Sequence, residues 1–178
     1  ATAAILTNKL LQLAGGAVYD ENGKAQIVHD QKLEVLDQLI EEANGQPVLV
    51  FYNYKHELDR LQARYPQAVH VKEENVVKRW NAKEIPILLA NPASAGHGLN
   101  LQFGGHIAIW YSPTWNLEFF QQANKRLHRR GQAEPVLSHT LAAKGTIDER
   151  IYDIVLRDKE AGQNALLEAV KARIKEVT

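Results

Sequence analysis

The sequence predicts a three-layer α/β fold, in which helices cover both faces of a parallel central sheet. Five short runs of strand-forming residues alternate with segments of helical periodicity, a pattern typical of βαβ crossovers. With 178 residues, of which 45% are hydrophobic, the chain is long enough to bury a sizeable core. We therefore expect one domain that carries additions at both ends.

The first 30 residues predict an appendage of one helix and one β-hairpin. Apolar residues in the segment 3–13 form a helical stripe that stops at Gly15-Gly16. Asn22-Gly23 then separates two short strand-forming segments, and this dipeptide favours a tight hairpin turn in which both residues take positive φ.

Residues 31–145 predict the sheet and its covering helices. Asp30 is expected to cap a helix that ends near Gly45. The continuous apolar run Val48–Phe51 follows and predicts a strand buried on both faces. The remaining expected elements are helices over Tyr54–Arg64, through Val76 and Trp80, and over Asn116–His128, with strands over Ala68–Val71, Ile85–Ala90, Ile107–Trp110 and Val136–Leu141.

Residues 146–178 predict terminal helices. Thr146 and Glu149 have the spacing of a capping box, and apolar residues from Ile147 to Val155 continue one helical face. The segment Asn164–Val177 carries a second apolar stripe.

Composition excludes several classes of function. Lys+Arg and Asp+Glu both total 21, so the net charge of zero does not indicate any particular class of partner. The absence of Cys excludes disulfides, thiolate metal sites and a Cys nucleophile, and the seven His residues lack metal-ligand spacing, so no metal site is expected. No window resembles a signal peptide or a membrane span. Because the chain has no Met and begins with Ala, we expect it to be a piece of a longer polypeptide.

Two polar segments are candidates for a binding site. The segment Asn91–Gln102 follows a predicted strand, where loops of parallel sheets bind ligands. It offers Ser94 and Asn100 as polar contacts beside two glycines, although the glycines alone favour an ordinary turn. The segment Lys125–Arg130 is basic at five of six positions in a neutral chain.

Arg126 and Arg129 in the basic segment suit phosphate oxygens, because each guanidinium is permanently charged and can donate two hydrogen bonds. A solvated helix end favoured by the helix dipole is the alternative. The chain contains no Gly-x-x-x-x-Gly-Lys-[Ser/Thr] loop, and no acidic pair follows an apolar strand. The chain has arginines that suit phosphate but no loop of this type to hold the phosphate. We therefore expect it to contribute half of a site that another domain completes.

Five segments resemble, in order and spacing, motifs of the Swi/Snf family of helicase superfamily two. The most specific is Gln122-Ala123-x-x-Arg126-x-His128-Arg129-x-Gly131-Gln132, which resembles motif VI. The others are Gly96-x-Gly98-Leu99-Asn100-Leu101 (motif V), Ser112-Pro113-Thr114-Trp115-Asn116, Val48–Phe51 (motif IV) and Thr146–Ile151 at the start of the terminal helix.

The resemblance implies the second RecA-like lobe of an ATP-dependent double-stranded DNA translocase. Its N-terminal RecA-like lobe, carried by the same polypeptide, would bind most of the ATP and Mg. By position, Arg129 would be the arginine finger, Arg126 a second phosphate contact and Gln122 a polar support. The implied nucleotide contacts further include Gly98 and Asn100, and the implied DNA contacts are Ser94, Ala95, Gly96, His97, Asn53 and Lys55.

The sequence departs from the family pattern at three points. His97 stands where a small apolar residue is usual, and Ser112 replaces an Asp. The segment between Phe51 and Ile85 is short, which favours a phage or bacterial member. We expect a monomer in the cytoplasm of a bacterial or phage-infected cell, or in the nucleus of a eukaryote. Without a P-loop, the chain alone is expected to be inactive as an ATPase.

Two alternatives remain open at this point. One is a RecA-like module that binds nucleic acid or protein without coupling to ATP hydrolysis. The other is a self-contained nucleotide-dependent enzyme of the doubly wound type, which the missing fingerprint glycines disfavour.

Overall fold

The computed structural model describes residues 2–95 and 98–157, with residues 155–157 described by their backbone only. Its helices are α1 (Ala3–Ala14), α2 (Gln31–Glu42), α3 (Lys55–Arg64), α4 (Val76–Asn81), α5 (Pro92–Ala95), α6 (Leu117–Asn124) and α7 (Ile147–Arg157). Its strands are β1 (Ala17–Tyr19), β2 (Ala25–Ile27), β3 (Val48–Phe51), β4 (Val69–His70), β5 (Ile87–Ala90), β6 (Ile107–Trp110) and β7 (Leu137–Thr140).

The last five of these strands form one parallel sheet in the order β4-β5-β3-β6-β7. Every residue of β3, β5 and β6 is buried, because these three strands lie in the middle of the sheet with helices on both faces. The predicted α/β class and parallel central sheet are confirmed. This buried parallel sheet forms because each of its three central strands is a continuous run of apolar residues.

Two hydrophobic clusters fill the two faces of the sheet. Alternate residues of one strand point to opposite faces, so Leu49 and Phe51 join one cluster while Val48 and Val50 join the other. The first cluster includes residues of α1, α4, α6 and α7, and the second includes residues of α2 and α3. The three predicted layers follow from this arrangement.

The N-terminal hairpin forms, but its turn differs from the expected one. Only Gly23 has positive φ, and Asp20 closes a three-residue loop by a backbone hydrogen bond to Lys24 O of 2.9 Å. The Asp20 carboxylate also accepts hydrogen bonds from the backbone of Asn22 and Lys24, both at 2.9 Å. This side chain therefore stabilises a longer turn than the dipeptide alone predicts.

Two helix caps and the end of one helix differ from the sequence-based expectations. Asp30 precedes α2 but makes no side-chain cap, because its carboxylate pairs with Arg60 at 2.6 Å. Glu149 caps Gly145 N at 2.9 Å rather than the backbone of Thr146. Helix α6 ends at Asn124 and not at His128. The predicted helix over 164–177 lies outside the described residues.

Among the described residues, no helix combines the length and the apolar composition needed to cross a membrane.

Candidate functional site

The candidate residues lie at the two opposite ends of the parallel strands, some at the carboxyl ends and others at the amino ends. Asn53, Lys55 and Ser94 follow the carboxyl ends of β3 and β5. Arg126 and Arg129 follow α6, which returns from the carboxyl end of β6 to the amino end of β7. The basic segment therefore lies at the amino ends of the strands and not among the loops at their carboxyl ends, since a crossover helix begins and ends at opposite ends of the parallel strands.

Two asparagines join the loops at the carboxyl edge. The Asn91 amide nitrogen donates to the backbone oxygens of Tyr52 at 3.4 Å and Asn53 at 3.2 Å, and its amide oxygen accepts from Ala93 N at 3.0 Å. The Asn53 amide donates to the backbone oxygen of Pro113. These bonds connect the segments that follow β3, β5 and β6.

The DNA-contact candidates differ in what they can offer. Ser94 is half-buried on α5, and Lys55 is exposed in an ion pair with Asp59 at 3.1 Å. Ala95 is fully buried in the core, so neither its methyl group nor its backbone is exposed to a ligand. Gly96 and His97 lie outside the described residues.

A buried carboxylate fills the crevice between β3 and β6. The connections of these neighbouring strands leave in opposite directions, which is where open α/β sheets commonly bind ligands. Here Glu57 Oε2 accepts hydrogen bonds from Asn53 N at 2.8 Å, Tyr54 N at 3.1 Å and Ser112 Oγ at 2.8 Å. Burial raises the pKa of Glu57, and the positive charge of Lys32 opposes that rise.

Ser112 thereby explains one departure from the family pattern. Its hydroxyl donates to Glu57 in the buried crevice, whereas an Asp at this position would place a second carboxylate beside the first.

A buried ion pair lies between α2 and α7. Lys32 Nζ is 2.5 Å from Asp148 Oδ2, which also accepts from Ala143 N at 3.1 Å. Sequence reasoning missed this pair. The available signal was the position of each charge on an apolar helix face, Lys32 one turn from Leu36 and Asp148 one turn from Ile151.

The segment that follows α6 brings two of the predicted nucleotide contacts together. Arg129 Nη1 donates to Asn100 Oδ1 at 2.5 Å, which links the motif VI resemblance to the motif V resemblance. Arg126 is half-buried, and its pKa is lowered first by burial and second by the positive charge of Arg129. Two guanidinium groups therefore lie close enough to repel each other.

Gln122 and Gly98 are two other predicted nucleotide contacts. The Gln122 amide donates to Glu118 Oε1 at 2.8 Å, one turn earlier on α6, so the structure pairs it with a carboxylate. Gly98 is exposed with φ of +72°, a left-handed conformation that favours glycine, although an added Cβ would meet no atom within 4 Å.

The chemistry of this donor set fits phosphate. Arg129 is exposed and its hydrogen bond goes to a neutral amide oxygen, so it keeps its full positive charge beside that of Arg126. An anion placed between two like charges lowers their repulsion and accepts several hydrogen bonds. Within the part of the chain that the structure describes, Arg129 has no carboxylate partner, so phosphate oxygens could bind there without breaking an ion pair of Arg129.

The five-stranded parallel sheet and its two helical layers define a RecA-like lobe. The chain belongs to the Helicase conserved C-terminal domain family, whose pattern matches residues 31–131. The resemblance to the C-terminal RecA-like lobe of Swi/Snf-family proteins is thereby confirmed.

Two relatives support this assignment. The chain is 41% identical over 178 residues to "Putative protein p41" of Acyrthosiphon pisum secondary endosymbiont phage 1, covering 96% of this chain and 38% of the relative. It is 33% identical over 148 residues to "Chromatin-remodeling ATPase INO80" of Mycosarcoma maydis, covering 75% of this chain and 8% of the relative. The chain thus corresponds to less than half of either protein.

A solved structure supports the fold. The "Crystal structure of the C-terminal part of Fun30 ATPase domain" aligns with a TM-score of 0.65 at 21% identity, covering 82% of this chain and 54% of that one.

Proposed function

We propose that the chain is the second motor lobe of an ATP-dependent double-stranded DNA translocase. It would supply Arg129 and Arg126 to an ATP site shared with an N-terminal RecA-like lobe of the same polypeptide. The observation that carries this proposal is the pair of neighbouring guanidinium groups, one of them held by Asn100.

Positive charge is concentrated at Arg126 and Arg129. The chain is neutral overall, and yet the pKa of Arg126 is lowered first by burial and then by repulsion from the positive charge of Arg129. Phosphate oxygens would offset this repulsion. Arg129 uses one N–H group on Asn100, and a guanidinium has five, so donors remain for a ligand. Arginines that stabilise a transferring phosphoryl group accelerate other systems by about 10³–10⁵.

ATP supplies the transferable phosphoryl group, and Mg neutralises charge on its phosphates. The sequence lacks a P-loop of its own, so we assign most of the binding of both to the N-terminal lobe. From this chain, Arg129 and Arg126 would hold phosphate oxygens and Asn100 would orient Arg129.

DNA would lie along the carboxyl edge of the sheet. Asn53, Ser94 and the Lys55 ammonium are placed there, together with the start of the segment that contains Gly96 and His97. Ala95, which is fully buried, would hold this segment in place from the core side. Because backbone amides and hydroxyl groups contact phosphates without reading bases, we expect binding without sequence preference.

The test is the DNA-stimulated ATPase activity of the two-lobed polypeptide carrying Arg129→Ala. We expect hydrolysis to fall by about 10³ or more while the affinity for ATP changes little, because the finger acts mainly on the transition state. Arg150→Ala, which removes an exposed arginine from α7, serves as the matched control and should keep full activity.

Near-normal hydrolysis by the Arg129→Ala variant would reject the assignment. DNA binding that is intact in a wild-type protein without any ATPase activity would instead favour the RecA-like module that is not coupled to hydrolysis. We also expect the two-lobed protein to act as a monomer, since the proposed site is complete within one polypeptide.

A further inference from the structure

Residues 98–105, which we name the strap, connect α5 to β6 and lie against α4. The indole nitrogen of Trp80 donates to Leu101 O at 2.8 Å in the buried interior. The amide nitrogen of Asn81 donates to Asn100 O at 2.9 Å. Both donors are in the last turn of α4, so that helix fixes the backbone of the strap at two consecutive residues.

The glycines of the strap allow a close approach to α4. A Cβ on Gly104 would lie 2.3 Å from Trp80 O, and one on Gly105 would lie 2.9 Å from Pro47 O. Any side chain at these positions would displace the backbone. The strap therefore lies flat on α4 and has little freedom to move away from it.

The opposite side of the strap contacts residues 125–132, which we name the arginine loop, at three points. Asn100 Oδ1 accepts from Arg129 at 2.5 Å, and Gly105 O accepts from the Gln132 amide at 3.0 Å. Between them the Phe103 ring lies against Gly131, where an added Cβ would be 3.0 Å from Phe103 Cε1.

These contacts compensate for the early end of α6. Beyond the last residue of the helix, Asn124, only individual turn hydrogen bonds order the backbone, such as the one from His128 N to Asn124 O at 3.2 Å. Gly131 has φ of +97°, so the chain reverses two residues after Arg129. The strap stabilises the conformation of the arginine loop through the contact of the Phe103 ring with Gly131.

We propose that Asn81 and Phe103 are positioning residues for Arg129. Asn81 would hold the backbone of Asn100, whose side chain orients the guanidinium, and Phe103 would fix the turn at Gly131. Neither residue would touch the nucleotide. A long arginine side chain has many rotamers, so contacts that restrict it in advance reduce the ordering required in the transition state. This inference rests on the proposed function of Arg129.

The experiment compares Asn81→Ala and Phe103→Ala with the wild-type two-lobed polypeptide in ATPase assays with duplex DNA. We expect kcat to fall about five- to tenfold in each variant, while KM for ATP stays within about twofold, because an indirect contact acts on the geometry of the transition state. Phe103→Leu, which keeps an apolar group against Gly131, should recover most of the loss. Lys78→Ala, an exposed change on the same helix, is the matched control.

A double-mutant cycle separates positioning from general stability. In an Arg129→Ala background, Asn81→Ala and Phe103→Ala should cause no further loss of kcat, because the residue through which they act is gone. Losses that multiply would overturn the inference. Phe103 is 55% exposed, so its truncation leaves the core intact, and unchanged kcat in Phe103→Ala would also overturn it.

Two other results have distinct meanings. A raised KM with unchanged kcat in Phe103→Ala would indicate direct contact with the nucleotide and would overturn the positioning role. Normal activity of Arg129→Ala alone would reject the proposed function itself, whereas an impaired Arg129→Ala with normal Asn81→Ala and Phe103→Ala rejects only the inference.

Discussion

Replacing Lys32 by Met should strongly destabilise the fold. The Lys32 side chain is 5% exposed and that of Asp148 is 0% exposed, with 2.5 Å between the two charged atoms. Solvent cannot take over the role of the missing ammonium, and among the described residues only Ala143 N, at 3.1 Å, would still donate to Asp148 Oδ2. Removing one partner of a buried ion pair typically costs about 3–5 kcal/mol, because the other charge stays buried without compensation. We expect a loss in that range.

Urea unfolding of the 178-residue chain measures this loss. The matched control is Lys55→Met, which removes the lysine of the exposed Lys55–Asp59 pair and should change the free energy of unfolding by less than about 1 kcal/mol. The double variant Lys32→Met with Asp148→Leu should recover much of the stability, because no buried charge remains. If Lys32→Met costs no more than Lys55→Met, the buried pair does not secure α7 to α2 as described.

Two further predictions concern the buried polar groups and the strap. Burial raises the pKa of Glu57 above its ordinary value of 4.5, so the folded chain holds this proton more tightly than the unfolded chain, and stability should fall as pH rises above 4.5 through the raised value. Glu57→Gln should weaken this fall, measured by urea unfolding at pH 5 and pH 8, and an unchanged pH dependence would contradict the argument. Gly104→Ala should cost about 1–3 kcal/mol because its Cβ would lie 2.3 Å from Trp80 O, and thermal unfolding equal to wild type would show that the strap can move.

The sheet could be predicted because its signal is local. The runs Val48–Phe51 and Ile107–Trp110 are apolar at every position, and such continuity requires a strand covered on both faces. Both strands have the predicted bounds, with all residues buried. The three-layer arrangement follows from the alternation of such runs with amphipathic helices.

The end of α6 could not be read from the sequence. Leu127 continues the apolar face of the helix, and it is buried in the core even though it lies beyond the last helical turn. Periodicity reports which residues are buried and not whether the backbone between them is helical. Along this non-helical path the side chains of Arg129 and Gln132 donate hydrogen bonds to Asn100 and Gly105 of the strap, contacts that sequence periodicity does not report.

The buried charges were missed for a different reason. Lys32 and Asp148 are 116 positions apart, and single charges on amphipathic helices are usually solvated. Their pairing depends on how α2 and α7 approach each other, which only the assembled fold defines. The proposed division into 1–30, 31–145 and 146–178 stays a prediction, although the charge pair already connects the second and third of these parts.

The central claim, that this lobe completes an ATP site formed with another lobe, is tested most directly by reconstitution. ATP hydrolysis is measured for this chain alone, for the N-terminal lobe alone and for the two joined, each with and without duplex DNA. The account predicts no hydrolysis by this chain alone and DNA-stimulated hydrolysis only when both lobes are present. Magnesium-dependent turnover by the purified chain alone, or no gain when the lobes are joined, would contradict it.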